Sequence, residues 1–314
     1  MKLPALSDFN FSGKKVLVRC DFDGGRLKEN LPTIRYLLKG GSKEVILMGH
    51  LGRPEGRVVE DLRLAPIEEK FRGLLDSKNI IFLENLRFDK REEENDEGFA
   101  KELAGMGDFY VNEAFASSHR EHASIVGIPK FLPHCAGLRF ASEVENLSKV
   151  LENPKKPLVF IIGGAKPETK LPLIAEFVRK ADMVLVGGTL PKFQISNPKF
   201  QKLKKVLYAD LTKDGFDIDE NSIKKFVEII KKAGTVVWNG PMGKYEEPGG
   251  SEGTRRIGEA IANSDAFKVV GGGDTIAALK KFNLLDKMDY VSTGGGAMLE
   301  FLAKGSLPGI TALK

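Results

Sequence analysis

Four clusters in the first half of this 314-residue chain have the side chains to grip an anion. DFD at 21–23 is followed by Arg26, and GHLGRP at 49–54 sets His50 and Arg53 in a glycine turn. ENLRF at 84–88 brings Arg87, and ASSHREHAS at 116–124 brings His119, Arg120 and His122. The forked guanidinium matches carboxylates and phosphates in a way that a lysine point charge does not. Of the 14 arginines, 11 fall between Arg19 and Arg139, which suits a small-anion site, although ordinary surface arginines would account for most of them. Each cluster alone also suits a capped turn; four at strand ends of one half are harder to explain that way. The spacing of His119 and His122 invites a zinc site, but no third ligand accompanies them.

The second half offers glycine turns instead. In FKVVGGGDTIAAL (267–279) an apolar run ends in Gly271, Gly272 and Gly273, and a helix-forming segment follows. Asp274 or Thr275 is expected as the helix N-cap, and the glycines admit a ligand close to the backbone. Free N–H groups at a helix start attract phosphate, and a bare Asp beside them can hold Mg²⁺. Such a turn also serves simple chain reversal. GGAKPETK (163–170) carries Lys166 and Lys170, four residues apart and so expected on one side of a helical turn. WNGPMGKYEE (238–247) reads as a strand end with a Gly-Pro loop, where Glu246 suits either a ribose hydroxyl or solvent. STGGGAMLEFL (292–302) is a further glycine turn into a helix whose N–H groups could meet an oxyanion. There is no GxxxxGK[ST], no GxGxxG after a strand, and no His-Arg-Asp with Asp-Phe-Gly, which weighs against P-loop, dinucleotide-binding and protein-kinase readings.

Ten apolar, β-rich runs must position these groups: 15–22, 44–50, 80–85, 108–115, 158–164, 183–188, 205–210, 235–240, 267–273 and 289–296. Amphipathic stretches of helical period lie between most of them. Continuous apolar strands alternating with helices predict parallel sheets covered on both faces, with ligands beyond the carboxyl ends of the strands. A domain boundary is expected near 137–157, as a helix from about Ser142 and then a Pro/Lys-rich connector. With 48 basic and 43 acidic residues, the net charge of +5 is too balanced for a nucleic-acid protein. Cys20 and Cys135 suggest no disulfide framework. The amino terminus lacks a signal-peptide core and no run approaches a membrane span, so a soluble cytoplasmic protein is expected.

Taken together, VLVRCDFD, ILMGHLGRP, LENLRF, VNEAFASSHREHAS, GGAKPETK, VVWNGPMG, VVGGGDT and VSTGGGAMLEFL resemble the phosphoglycerate kinase family, in the family's order and nearly end to end. LPGITAL near the carboxyl end resembles it too. The resemblance implies an α/β fold of two doubly wound, Rossmann-like parallel-sheet domains joined by a hinge helix. Residues 1–137, with 305–314 returning, would bind 3-phosphoglycerate; 138–157 would form the hinge helix and connector; 158–304 would bind the Mg-nucleotide. The implied activity is reversible phosphoryl transfer between 1,3-bisphosphoglycerate and MgADP, by closure of a monomer. Asp21, Asp23, Arg26, His50, Leu51, Gly52, Arg53, Arg87 and Arg120 would hold the triose acid. Gly163, Gly164, Ala165, Lys166, Lys170, Gly187, Gly188, Asn239, Pro241, Gly243, Glu246, Gly271–Thr275 and Gly294–Gly296 would hold ADP or ATP, with Asp274 at Mg²⁺. Arg26, Lys170 and Gly295 would meet the phosphoryl in flight.

The chain departs from the family in places. The connection before Arg26 is cut to Gly24-Gly25, and TLPKFQISNPKFQKLKK (189–205) replaces a helical segment where part of the family's adenine pocket lies. Asp23 stands where the family has Asn, Thr189 replaces a glycine, and Pro167 and Pro172 flank Lys170. The loop EPGGSEG lacks the family's aromatic. The charged set is intact, so an active ATP-forming kinase is expected ahead of a kinase of another carboxylate or a non-catalytic nucleotide-binding relative.

Overall fold

A computed structural model describes residues 2–194 and 204–314; residues 195–203, in the replaced segment, lie outside the described residues. The chain divides into two compact units. One holds the residues up to Glu145 together with Ser306–Lys314, and the other runs from Asn146 to Gly305.

The first unit is built on five parallel strands: β1 (Lys15–Arg19), β2 (Glu44–Met48), β3 (Ile80–Phe82), β4 (Phe109–Asn112) and β5 (His134–Ala136), in the order β3-β2-β1-β4-β5. The second holds six: β6 (Leu158–Ile162), β7 (Met183–Val186), β8 (Val206–Tyr208), β9 (Thr235–Asn239), β10 (Phe267–Gly271) and β11 (Tyr290–Ser292), in the order β11-β10-β9-β6-β7-β8. Every ladder is parallel. Both sheets are therefore doubly wound, and the strand order reverses between β1 and β4 and between β6 and β9. Crevices at such switch points are where this architecture receives ligands.

The apolar runs behave as central strands should. All five residues of β6 and of β9 are buried, consistent with helices on both sheet faces. Trp238 is fully buried in β9 and keeps its indole N–H satisfied on the Gly240 carbonyl, 2.8 Å away. Each buried Val, Leu or Ile contributes roughly 1.5–3 kcal/mol.

Two expectations need correction. The helix expected from Ser142 begins at Leu138 and runs to Glu152. Its start is fixed from a distance: the Glu113 carboxylate accepts the N–H groups of Arg139 and Phe140 (3.1 and 3.2 Å), and Thr33 Oγ1 accepts that of Leu138 (2.8 Å). Those remote acceptors replace a local cap. Strand β5, unmarked by any apolar run, completes the first sheet by pairing with β4. No described helix is long and apolar enough to cross a membrane.

Candidate functional site

At the switch point of the first sheet the site grows from a buried arginine. Arg19 ends β1, lies level with Met48 and Asn112, and is wholly inaccessible to solvent. Such a charge must be paired or saturated with acceptors. Its Nε donates to Ser124 Oγ (2.8 Å), and Ser124 Oγ–H and N–H both donate to the buried Glu92 carboxylate (2.6 and 2.9 Å). The Arg19 Nη2 donates to His50 Nδ1 at 2.8 Å. Because a guanidinium can only donate, this bond fixes the tautomer: Nδ1 is the acceptor, and the proton sits on Nε2. Burial, then Arg19, Arg87, His122 and Arg120, push the imidazole far below its ordinary value, so His50 is a neutral donor at every physiological pH.

Arg87 is 2% exposed. Its Nη1 donates to the Gly52 carbonyl (2.7 Å) and its Nε lies 3.2 Å from Glu93, yet Nη2 is buried without an acceptor. Burial and neighbouring Arg120 bring its pKa down to about 10. Arg120, lowered by burial and then by Arg53, is part-buried. These cations repel one another, and a native fold tolerates a buried unpaired guanidinium N–H when an anion is its partner.

The other predicted residues of this unit take different parts. Asp21 accepts from Ala116 N–H (3.0 Å) and Ser117 Oγ (2.7 Å) and so anchors the 115–117 turn. Asp23 opens the tight stretch Asp23–Asn30, in which Gly24 and Gly25 have φ of 63° and 76°, so the shortened connection depends on glycine. Arg26 follows, with its Nε buried and unpartnered. Leu51 gives its carbonyl to Asn85 Nδ2 (2.9 Å), Gly52 turns at φ 62°, and Arg53 is exposed. Several remaining arginines are surface ion pairs, as Arg63 is with Glu60 and Arg91 with Asp89.

The second unit forms its strand ends from backbone. A Cβ on Gly163 would stand 2.2 Å from the Pro241 carbonyl oxygen, one on Gly188 2.4 Å from Gly164 N, and one on Gly295 2.6 Å from Gly272 Cα. Asn239 and Thr275 are buried connectors: Asn239 Nδ2 donates to Gly271 O (2.8 Å), and Gly240 N–H donates to Thr275 Oγ1 (2.7 Å). Gly187 packs against Met242. The helix Gly273–Lys281 is capped by Gly272 at φ 100°, not by Asp274 or Thr275, which fall in its first turn. Neither it nor Gly295–Lys304, which starts after Gly294, has a side-chain cap, so their first N–H groups stay open to an anion.

Lys166 and Lys170 stand one helical turn apart, with Lys170 N–H bonding Lys166 O at 3.3 Å. Lys166 precedes the helix Pro167–Lys180 and is exposed, while Lys170 turns inward and donates to Gly163 O at 2.6 Å. Burial lowers Lys170 to about 8, against the pull of Asp274. Pro167 opens that helix and Pro172 is carried inside it.

A cleft is lined by Gly164, Ala165, Gly188, Thr189, Pro241, Gly243, Glu246 and Asp274, joined by Gly215, Phe216, Lys244 and Tyr245. The last four were not singled out from the sequence, nor were Arg19, Glu92 and Ser124 in the first unit. The Asp274 carboxylate makes no hydrogen bond among the described residues. Among these residues no group of three or more His, Cys, Asp or Glu is placed to hold a metal by itself.

Comparison with known proteins agrees with this architecture. The family model described as phosphoglycerate kinase matches residues 6–80, 74–197 and 191–305. Phosphoglycerate kinases of Roseiflexus sp. (strain RS-1) and Borreliella afzelii (strain PKo) are 38% and 36% identical to this chain over 393 aligned positions, covering all of it and 99% and 100% of themselves. Since the chain has 314 residues, those relatives carry segments that it lacks. Among solved structures, phosphoglycerate kinase from Coxiella burnetii matches with a TM-score of 0.86 at 33% identity, covering 99% of each chain. That from Pyrococcus horikoshii OT3 matches with a TM-score of 0.82 at 30% identity, covering 98% of each. With two doubly wound sheets, a buried cationic centre on one and glycine-built strand ends on the other, the chain belongs to the phosphoglycerate kinase family.

Proposed function

We propose that this chain catalyses reversible phosphoryl transfer between 1,3-bisphosphoglycerate and MgADP, giving 3-phosphoglycerate and MgATP. The observation that carries the triose half is the unpartnered Nη2 of buried Arg87, with Arg120 and neutral His50 close enough to perturb one another. A phosphorylated carboxylic acid has the oxygens to complete that set. Arg26, Arg53 and Arg120 would take the negative charge, and His50 would donate its Nε2 proton as a hydrogen bond without losing it. Asp21 would serve indirectly, by holding the turn that precedes Arg120.

In the second unit, Lys170 and the open starts of Gly273–Lys281 and Gly295–Lys304 would offset phosphate charge, with Glu246 available to a ribose hydroxyl. The attacking and leaving oxygens of this reaction are already anionic, so no general base is needed; bringing like charges together is the difficulty. Asp274 suits Mg²⁺, a hard cation that takes one or two carboxylates together with substrate phosphates. When bound, the ion would neutralise phosphate charge. A cytoplasmic monomer acting without nucleic acid or membrane is part of the same proposal.

The test is ADP formation by pure, folded protein from 3-phosphoglycerate and MgATP, with Arg26→Ala and Lys170→Met as controls. The wild-type chain should turn over and both variants should be severely slowed. Absence of wild-type turnover with 3-phosphoglycerate, in protein shown to be folded, would overturn the proposal.

A further inference from the structure

The cleft of the second unit has one wall that no strand end supplies. An antiparallel bridge between Leu211 and Ile218 closes a hairpin that carries Phe216. Its tip is braced: Thr212 Oγ1 and Phe216 N–H both donate to Asp214 (2.6 and 3.0 Å), and Gly215, at φ 69°, donates to Thr212 O (2.8 Å). The Phe216 carbonyl accepts from Lys244 N–H at 2.8 Å, tying the hairpin to the loop after β9. The Lys244 ammonium lies 4.3 Å from the centre of the Phe216 ring. Both residues line the cleft.

A ring on a braced hairpin is a flat apolar face suited to an aromatic base. The ammonium against it can only donate, and it makes no hydrogen bond among the described residues. Four backbone donors around it are already occupied: Gly188 N–H bonds Met242 O, Thr189 N–H bonds Gly164 O, and the Gly215 and Phe216 N–H groups serve their own turn. Lys244 is a side-chain donor set against the ring at this wall, and Lys192, whose Nζ would lie 2.9 Å from a Cβ on Gly215, stands at the hairpin's turn.

The two purines differ on the edge such a donor reads. Guanine presents O6 and N7 as adjacent acceptors, whereas adenine sets its N6 amino donor beside N7. An ammonium facing the first pair gains two acceptors; facing the second it meets a donor. We propose that Lys244 is a specificity-determining residue at the base end of this cleft, favouring 6-oxopurine over 6-aminopurine nucleotides relative to a chain without the ammonium. This rests on the reading of the cleft as the nucleotide site.

The experiment is calorimetric titration of the full chain with MgADP and with MgGDP, for the wild type, Lys244→Met and Lys244→Arg. Lys244 is exposed, so the variants should fold, and melting curves verify it. General attraction of the ammonium for phosphate affects both nucleotides equally, so the ratio of the two affinities isolates the base. The GDP-to-ADP affinity ratio should fall about fivefold or more in Lys244→Met and be retained in Lys244→Arg. If both nucleotides bind and Lys244→Met leaves the ratio unchanged, this inference is wrong while the nucleotide reading stands. If neither binds the wild type, the nucleotide reading itself fails, and this inference with it.

Discussion

The two switch points solve one problem with opposite materials. In the first unit, charge is presented by buried side chains: Arg19 holds His50, Gly52 holds Arg87, and Glu92 with Ser124 backs the set. In the second, bare backbone comes close enough that a single methyl group would collide at Gly163, Gly188 or Gly295. A site of side chains can lose one donor and keep its shape. A site of touching backbones loses shape first and chemistry with it.

The sharpest way to break this comparison is Gly240→Ala. Gly240 has φ 93°, and an added Cβ would lie 2.2 Å from the Gly163 carbonyl oxygen. The expected cost is about 3 kcal/mol or more, read as a large fall in melting temperature. An unchanged melting curve would remove the distinction between the two sites. Next comes Lys170→Met, expected to lower kcat roughly 10³-fold with a near-normal melting curve, because one clamp on the phosphoryl is lost and the fold is not.

Arg87→Met should raise KM for 3-phosphoglycerate by about 10² while leaving MgATP binding intact, since its buried, partnerless N–H belongs to the first unit. Calorimetry with each ligand separates the two effects; equal losses for both would contradict the division of labour.

A subtler expectation concerns pH. Lys170 titrates near 8, so nucleotide affinity should fall as pH rises through that value, and the inflection should vanish in Lys170→Met. The stability effect has the opposite sign. Between about 8 and 10.5 the unfolded chain holds a proton that the folded one lacks, so the penalty for burying the ammonium fades as pH rises. The smallest effect is expected from Asp23→Asn, which removes one negative charge near the triose-acid residues. About a twofold gain in 3-phosphoglycerate affinity should result, lessening as salt is added.

The strands were legible wherever a sheet's centre demanded an apolar run, as LVFII and TVVWN show. His134–Ala136 escaped because a three-residue strand at a sheet edge needs no such run. The residue pattern alone put the helix start near Ser142, although the resemblance put it at 138, because its acceptors, Thr33 and Glu113, are remote in sequence. Motif reading found the residues beside strand-end turns but missed the groups that hold them. Arg19 alone left a trace, as a charge inside the apolar run KVLVRC. Glu92 and Ser124 left none, since each looks like an ordinary helix or turn residue until the fold brings Arg19 to them. The same applies to Phe216, which reaches the cleft through one backbone bond to Lys244.

The short stretch Ser306–Lys314 has a consequence for the order in which the protein is made. It belongs to the first unit, where Leu307, Ile310 and Leu313 are buried and Gly309 N–H bonds Ser118 O at 2.9 Å. All of the second unit lies between those two residues in sequence. A ribosome therefore delivers the second unit as one continuous piece, while the first, begun earlier, must wait with an uncovered apolar patch for Ser306–Lys314. Synthesis of Ser306–Lys314, rather than the speed of local folding, sets when the cationic half of this protein can be finished.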